Sequence, residues 1–268
     1  MEPTPKHVDL HSHPLPGLDD GPARFDDSIR LLEAAWHGGT RTMVATPHMF
    51  QEGLGSDDHE EVAQRFERFE ARLGDHRRAA DDGYLADLEL VLGAENYFGE
   101  AFVQALGDER VLTLGGSSYL LLEFWPATTR AVARRAVATV QDAGYAPVLA
   151  HVERYAFLQQ DPSFLAEVVS SGCVAQVNAA AVLGLQGLGP ARLTDRWLRD
   201  GLIAVVASDG HDLSRRTPRL DTVAEHLASR HGAEVAARCL RLNPQAILDD
   251  EPVALPEPRR TSWWRRSR

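Results

Sequence analysis

The 268-residue sequence has only two cysteines, Cys173 and Cys239. Two cysteines are too few for the disulfide network that stabilises many small secreted domains. A chain of this length can instead bury a large core, and 44% of its residues are hydrophobic. We therefore expect a cytoplasmic protein with free thiols.

Long hydrophobic runs are also missing. The N-terminal segment has no apolar stretch of signal-peptide length, and no stretch approaches the roughly 20 apolar residues of a membrane span. The glycine patterns of the common nucleotide-binding folds are absent too. The net charge of −11 argues against a broad nucleic-acid partner, although it leaves room for a small basic pocket that holds one phosphate.

No segment resembles a proline- or serine-rich linker, so the sequence predicts a single domain over residues 1–250. Residues 251–268 are predicted to form a flexible C-terminal tail that is basic and aromatic and includes Trp263 and Trp264. A solvated tail and a contact with anionic lipid or a protein partner are both compatible with this composition.

Short β-branched and apolar runs alternate with longer amphipathic stretches. The predicted strands are His7–Leu10, Thr42–Ala45, Leu88–Leu92, Tyr119–Phe124, Pro147–Ala150, Val174–Val177 and Ile203–Ala207. The helical patterns between them include Phe25–Trp36, Asp58–Arg72, Thr129–Ala143, Pro162–Ser170 and Ala191–Arg199. This alternation predicts an α/β fold with a parallel sheet that closes, or nearly closes, into a barrel.

Residues of the types that bind metals follow these strands, at the end where parallel barrels place their active sites. In chain order they are His11, His13, Asp20, His48, Glu95, Glu123, His151, Asn178, Asp209 and His211. Five of the eleven histidines thus fall at corresponding positions, whereas the other six lie in helices or flanking segments. One histidine alone is more often an ordinary surface or core residue, but this concentration indicates a site for several metal ions.

The chemistry of these residue types agrees with that interpretation. Imidazole and carboxylate ligands suit Zn²⁺, Mn²⁺ or Fe²⁺, and a carboxylate can bridge two ions. His11 and His13 lie two positions apart, so in an extended strand both side chains leave on the same side and can bind one ion. Glu123 ends an apolar strand, where a carboxylate would be costly without a cation or hydrogen-bond partners.

Several segments resemble the PHP superfamily, named for polymerase and histidinol phosphatase domains. They include DLHSH, ATPH, AHVERY and ASDGH, and with LPGLDDG, GAENYF and GCVAQVNAAAVLG they span nearly the whole predicted domain. LPGLDDG and AHVERY are typical of one branch, the bacterial tyrosine-protein phosphatases of capsular and exopolysaccharide biosynthesis. The chain departs from the pattern at Val152, where proline is common, and at Asp212, where asparagine is common.

This resemblance implies a distorted (β/α)7 TIM-like barrel that holds three divalent metal ions, with Mn²⁺ as first choice and Fe, Zn, Co or Mg as alternatives. It implies that His11, His13, Glu95 and Asp209 hold the first ion, and that Glu95, Glu123 and His151 hold the second. The third ion would be held by Asp20, His48 and His211. Asn178 is expected to be a structural amide or to support a ligand, and Asp19 to stabilise the turn or support a ligand.

Arginines near these residues point to a phosphate substrate, because guanidinium groups pair with phosphate oxygens through two hydrogen bonds. Arg154 follows His151 by three residues, and Arg215 and Arg216 follow His211. Arg216 matches the family position better than Arg215, although either could contact phosphate. Metal ions would activate water for in-line attack on phosphorus, and Arg154 and Arg216 would neutralise charge on the phosphoryl oxygens. The general acid could be Asp20, His48 or a water molecule.

A cysteine nucleophile is excluded by spacing. Cysteine-dependent tyrosine phosphatases need Cys-x₅-Arg, so that a thiolate and an arginine face one phosphate. The residue six positions after Cys173 is Ala179, and six positions after Cys239 is Gln245.

The resemblance therefore implies a protein tyrosine phosphatase that acts on the tyrosine-rich tail of a membrane-associated bacterial tyrosine kinase. Two alternatives remain. One is a histidinol-phosphate or other small-molecule phosphoesterase, whose metal site would look nearly the same. The other is a metal-binding regulatory protein without turnover, although proteins of that kind usually lose ligands and this sequence lacks none.

Overall fold

The predicted strands form a curled parallel sheet in the computed structural model, which describes residues 6–79 and 85–255. The observed strands are β1 His7–Ser12, β2 Thr40–Ala45, β3 His48–Met49, β4 Glu89–Leu92, β5 Glu95–Tyr97, β6 Tyr119–Glu123, β7 Ala146–Leu149, β8 Val174–Asn178 and β9 Val205–Ala207. All seven predicted strands are present, with ends shifted by a few residues.

Two short strands, β3 and β5, were not predicted, and they continue β2 and β4 after a break. Pro47 lies in the break between β2 and β3, because proline has no backbone N–H to donate to a neighbouring strand. Backbone bonds cross the breaks, from Thr46 N to the Ser12 carbonyl at 2.8 Å and from Gly93 N to the Ala45 carbonyl at 2.9 Å. After the breaks, His48 is paired in register with Glu95. The split strands therefore place two predicted metal ligands side by side.

The two ends of the sheet meet at β1 and the residues after β9. The backbone N–H of Asp209 donates to the His11 carbonyl at 2.8 Å, and that of His13 donates to the Gly210 carbonyl at 2.9 Å. These bonds turn the curled sheet into a distorted barrel, which confirms the predicted fold class and the single domain. They also bring the first and last predicted ligand segments together.

Helices cover the outside of the sheet. They are α1 Phe25–His37, α2 His59–Ala79, α3 Glu100–Gly107, α4 Arg130–Asp142, α5 Ala156–Gln160, α6 Phe164–Ser170, α7 Ala179–Val182, α8 Leu188–Arg199, α9 Asp221–His231, α10 Ala233–Ala237 and α11 Asn243–Leu248. Short 3₁₀ turns lie at Leu114–Gly116 and Val152–Arg154, and a π-helical turn at Arg238–Leu242 precedes α11.

The core has two layers, because successive side chains of a strand point to opposite faces. In β6, Leu120 and Leu122 pack against the outer layer under the helices, whereas Leu121 packs in the inner layer with residues from the other strands. Glu123 lies two residues after Leu121, and therefore points toward the interior at the end of the barrel.

The end of the described chain contacts the domain. The Tyr119 hydroxyl donates to the carbonyl of Glu251 at 2.9 Å, and the Asn243 amide donates to that of Ala254 at 3.1 Å. The rest of the predicted tail, residues 256–268 with Trp263 and Trp264, lies outside the described residues. Within residues 6–79 and 85–255, no helix is long and apolar enough to cross a membrane.

Candidate metal centre

Two of the predicted ligands have backbone conformations that non-glycine residues rarely adopt. The φ angle is +31° at His151 and +52° at Asp209. Both residues lie two positions after the end of a barrel strand, where such strain often accompanies a functional site. The backbone N–H of His151 is held by the side-chain oxygen of Gln176 at 2.8 Å. The local fold thus turns both side chains toward the end of the barrel.

The residues predicted for the first ion lie together. The Nε2 atom of His11 is 3.0 Å from Glu95 Oε2 and 3.5 Å from Asp209 Oδ1. The Nε2 atom of His13 is 3.2 Å from that of His11 and 3.3 Å from Glu95 Oε2. All four side chains are at most 3% exposed. The four atoms form a compact buried group with mixed nitrogen and oxygen chemistry.

The second predicted group shares Glu95 with the first. The Nε2 atom of His151 lies 2.7 Å from Glu95 Oε1 and 3.5 Å from Glu123 Oε1. His48 also reaches this group, with its Nδ1 atom 3.2 Å from Glu95 Oε2 and 3.4 Å from Glu123 Oε2. The Oε2 atom of Glu95 faces His11, His13 and His48, and its Oε1 atom faces His151, so Glu95 contacts both groups.

The third predicted group lies on the other side of His48. Its Nε2 atom is 3.5 Å from Asp20 Oδ1, and His211 Nε2 is 3.0 Å from the same oxygen. His13 also presents a ring nitrogen to this group. The ligand atoms therefore form three overlapping groups, and His13 and His48 each belong to two of them.

Unpartnered buried atoms indicate that the cluster fits metal ions. Within the described residues, His48 Nδ1, Glu95 Oε2, Glu123 Oε2 and His211 Nε2 are buried without a hydrogen bond. Leaving polar atoms in this state costs free energy unless a ligand satisfies them. Each of the four atoms also faces another predicted ligand, as a shared cation would require.

The electrostatics of the cluster favour added positive charge. Burial lowers the pKa of His11, but the nearby Glu95 and Asp209 outweigh it and raise the pKa to about 9. Burial raises the pKa of Glu95, but three surrounding histidines outweigh it and hold the pKa well below its usual range. The pocket therefore keeps its carboxylates ionised and attracts cations.

A chain of side-chain amides supports the ligands. The Gln176 oxygen faces His11 Nδ1 at 3.2 Å and accepts from the His151 backbone at 2.8 Å. The Gln176 amide donates to Asn178 at 2.9 Å, and the Asn178 amide donates to Asp209 Oδ2 at 2.7 Å. Because an amide oxygen only accepts, Nδ1 of His11 carries a proton, and Nε2 is the nitrogen that would bind a metal once the metal displaces its proton. The sequence prediction missed Gln176. The feature that could have indicated its role is a polar side chain within a buried strand, β8.

Two predicted arginines flank the cluster. Arg154 donates to Asp209 Oδ2 at 2.5 Å, and Arg216 donates to Asp20 Oδ2 at 2.7 Å. The Arg215 side chain is exposed and makes no hydrogen bond or ion pair with the described residues. Arg154 and Arg216 are therefore placed to meet an anion that approaches the ligand groups, and Arg215 is not.

Comparison with known proteins agrees with this geometry. A family model described as "Capsular polysaccharide synthesis, CpsB/CapC" matches residues 7–249. The tyrosine-protein phosphatase CpsB of Streptococcus pneumoniae is 29% identical over 251 residues, covering 92% of this chain and 100% of that protein. The tyrosine-protein phosphatase YwqE of Bacillus subtilis is 29% identical over 247 residues, covering 92% and 93%.

A solved structure is also similar over most of the chain. It comes from crystal structures of YwqE from Bacillus subtilis and CpsB from Streptococcus pneumoniae, described as unique metal-dependent tyrosine phosphatases. It superposes with a TM-score of 0.84 at 27% sequence identity and covers 95% of this chain and 100% of that one.

Proposed function

Because the chain belongs to the CpsB/CapC family of capsular polysaccharide synthesis, we propose that it is a metal-dependent protein tyrosine phosphatase. The observation that carries this proposal is the set of three overlapping groups of ligand atoms, with an arginine at Asp209 and another at Asp20. A metal cluster alone does not select a substrate. An arginine on each side of it favours a phosphoryl group.

The proposed cofactors are three divalent ions, with Mn²⁺ as the first choice. His11, His13, Glu95 and Asp209 would hold one ion, Glu95, Glu123 and His151 the second, and Asp20, His48 and His211 the third. His48 Nδ1 faces the second group as well, so His48 would contribute to the surroundings of two ions. Bound ions would lower the pKa of water and stabilise charge on the phosphoryl oxygens.

The flanking arginines would bind and orient the phosphate. Each guanidinium now donates to a carboxylate and can redirect a donor to a phosphoryl oxygen when substrate enters. Asp20 lies at the edge of the cluster with 39% of its side chain exposed, and the buried His48 lies beside it, with Nε2 3.5 Å from Asp20 Oδ1. Burial raises the pKa of Asp20, but hydrogen bonds with His211, His48 and Arg216 outweigh it and hold the pKa well below its usual range, so Asp20 is ionised and has no proton to deliver. The proton donor would be His48 or a water molecule, and a phenolate is a good leaving group that needs little help.

The proposed substrate is a phosphotyrosine protein, specifically the tyrosine-rich tail of a membrane-associated bacterial tyrosine kinase. The family's link to capsular polysaccharide synthesis and the phosphatase relatives support a phosphotyrosine protein. The kinase tail is the substrate that the sequence resemblance implies. We also propose a cytoplasmic location. The support is that both cysteines are free and buried, which suits a reducing compartment.

The test compares substrates on one preparation. The protein is stripped of metal, dialysed, and assayed for phosphate release with and without Mn²⁺. We expect hydrolysis of a phosphotyrosine peptide only after Mn²⁺ is added. Activity that survives exhaustive chelation would contradict the metal-dependent mechanism.

The same assay separates the alternatives. Much faster hydrolysis of histidinol phosphate than of phosphotyrosine peptides would favour the small-molecule phosphoesterase. Metal binding without release of phosphate from either substrate would favour a non-catalytic metal-binding protein.

A further inference from the structure

A pocket separate from the metal centre is lined in part by the loop that joins two predicted ligands, His13 and Asp20. Leu15, Pro16 and Leu18 of this loop form one wall, and Phe25 and Phe69 complete the apolar lining. The volume is about 220 Å³. This is below the roughly 300–1,000 Å³ of pockets for small-molecule ligands, and it suits a single side chain.

Three arginines of α2 form the rest of the lining, and we call this pocket the arginine pocket. Arg65, Arg68 and Arg72 lie three and four positions apart, so they share one face of the helix. Among the described residues, no carboxylate lines the arginine pocket. This local positive charge is notable in a chain whose net charge is −11.

The arginines are available for a ligand. No described residue forms an ion pair or hydrogen bond with the Arg68 side chain. Arg72 has no carboxylate partner there either, and its guanidinium lies 3.8 Å above the Phe25 ring. Among the described residues, Arg65 pairs only with Glu61 at 2.9 Å, and both side chains are about 40% exposed, so this pair is weak and can rearrange.

The arginine pocket is close to the metal centre by chain connectivity. Leu15 lies two residues after His13, and Leu18 lies two residues before Asp20. Two residues span at most about 7 Å. A polypeptide with its phosphotyrosine at the metal centre can therefore reach over the loop into the arginine pocket within a few residues.

The chemistry of the lining selects the occupant. Phe25 and Phe69 meet edge to face with ring centroids 5.6 Å apart, and a third aromatic ring can pack on such a pair. Arginines beside them suit a phosphate group at the end of that ring. The cavity at Asp20 is different, because its lining includes two proposed metal ligands, Asp20 and His211, and it therefore belongs to the metal centre itself.

We propose that the arginine pocket binds a second phosphotyrosine of the substrate polypeptide while the first one is hydrolysed at the metal centre. This inference rests on the proposed phosphatase function and extends it to substrates that carry several phosphotyrosines. The second phosphotyrosine would anchor the chain and lower KM, and it would leave the chemical step unchanged.

The test uses a series of peptides with one hydrolysable phosphotyrosine and a non-hydrolysable phosphonate analogue about two to six residues away on either side. Matched peptides carry glutamate or unmodified tyrosine at the second position. For at least one spacing, we expect the phosphonate to lower KM about tenfold relative to tyrosine. Arg68→Glu should abolish this gain and leave hydrolysis of the tyrosine peptide and of p-nitrophenyl phosphate unchanged.

Arg78→Glu is the matched control. Arg78 lies on the same helix, is exposed, pairs with Asp75 at 2.6 Å and does not line the arginine pocket. This variant should keep the full gain. A wild-type protein that hydrolyses all peptides equally well, or a gain that Arg68→Glu does not remove, would overturn the inference and leave the proposed function intact.

Two further outcomes are informative. An equal decrease in KM with the glutamate peptide would show that the pocket binds any negative charge, which contradicts a phosphotyrosine site. If the protein releases phosphate from another phosphomonoester but from no phosphotyrosine peptide, the proposed function fails and this inference fails with it.

Discussion

His13 and Asp19 form a buried pair, with the Nδ1 atom of His13 2.7 Å from Asp19 Oδ2. Burial raises the pKa of Asp19, but the attraction of His13 outweighs it and the pKa falls to about 2. Asp19 therefore stays ionised at neutral pH and holds the proton on Nδ1, so that Nε2 of His13 faces the other ligands. The next residue, Asp20, turns its Oδ1 atom toward His211 at 3.0 Å. The two adjacent aspartates thus have different tasks.

This difference gives a first prediction. Asp19→Asn should weaken metal binding by about ten- to a hundredfold, because it removes the partner that orients a ligand. Excess Mn²⁺ should then restore most of the activity. Asp20→Asn replaces a proposed ligand and should lower kcat by about a hundredfold or more even at saturating Mn²⁺. Titrating the activity of both variants with Mn²⁺ measures the apparent metal affinity and the kcat at saturating Mn²⁺. The opposite pattern would identify Asp19 as the ligand.

The two flanking arginines give a second prediction. Arg154→Ala and Arg216→Ala should each lower kcat/KM for a phosphotyrosine peptide by about a hundred- to a thousandfold, because charged donors stabilise the transition state. Lysine at either position should recover only part of the loss, since it cannot form two parallel hydrogen bonds.

Arg215→Ala is the control for this pair, because the Arg215 side chain is exposed and makes no hydrogen bond or ion pair with the described residues. We expect its kcat/KM to stay within about threefold of the wild type. If Arg215→Ala is as damaging as Arg216→Ala, the assignment of Arg216 as the phosphate-binding residue of this loop is wrong.

Much of the barrel could be predicted because its signals are local. Most of the predicted strands are short runs of apolar residues, many of them β-branched, and parallel topology places the residues that follow the strands at one end. The breaks at Pro47 and Gly93 were not predicted, because the pairing of short strands such as β3 with β5 depends on tertiary contacts. These breaks let His48 face two ligand groups, whereas the resemblance assigned it to one.

Contacts between distant segments account for the rest. A single glutamine in a strand does not reveal which groups its amide will bind, so the role of Gln176 required coordinates. The arginine pocket likewise depends on how the loop at Leu15 packs against α2. Neither feature leaves a repeating pattern in the sequence.

The amide chain gives a third prediction. Gln176→Ala should weaken metal binding by about ten- to a hundredfold, because it removes the hydrogen bonds that orient His11 and His151. Isothermal titration of metal-free protein with Mn²⁺ measures the effect. Gln245→Ala is the control, since within residues 6–79 and 85–255 that amide bonds only to the exposed Asp249. Equal affinity of both variants would remove Gln176 from the support of the site.

Metal removal gives a fourth prediction. A ligand that binds only the folded state, at a hundred times its Kd, stabilises a protein by about 2.7 kcal/mol. For a domain of this size, we expect chelation to lower Tm by about 5–10 °C, and added Mn²⁺ to restore it. Glu95→Gln should abolish most of this Mn²⁺-dependent shift, because Glu95 contacts two ligand groups. An unchanged Tm after chelation of the wild type would mean that the cluster holds no ion tightly.

The two thiols give the last prediction. Cys173 and Cys239 are both buried, and burial raises the pKa of Cys239 to about 12 and that of Cys173 further. Both thiols therefore stay protonated at neutral pH, and a protonated, buried thiol is a poor nucleophile. Iodoacetamide should leave the Mn²⁺-loaded enzyme active at pH 7–8, whereas it should label both cysteines after denaturation.

Cys173→Ser and Cys239→Ser should lower stability by about 1–3 kcal/mol, because each buries a hydroxyl, and should keep kcat near the wild-type value. Loss of kcat in a folded, metal-loaded variant would instead bring a cysteine into the reaction.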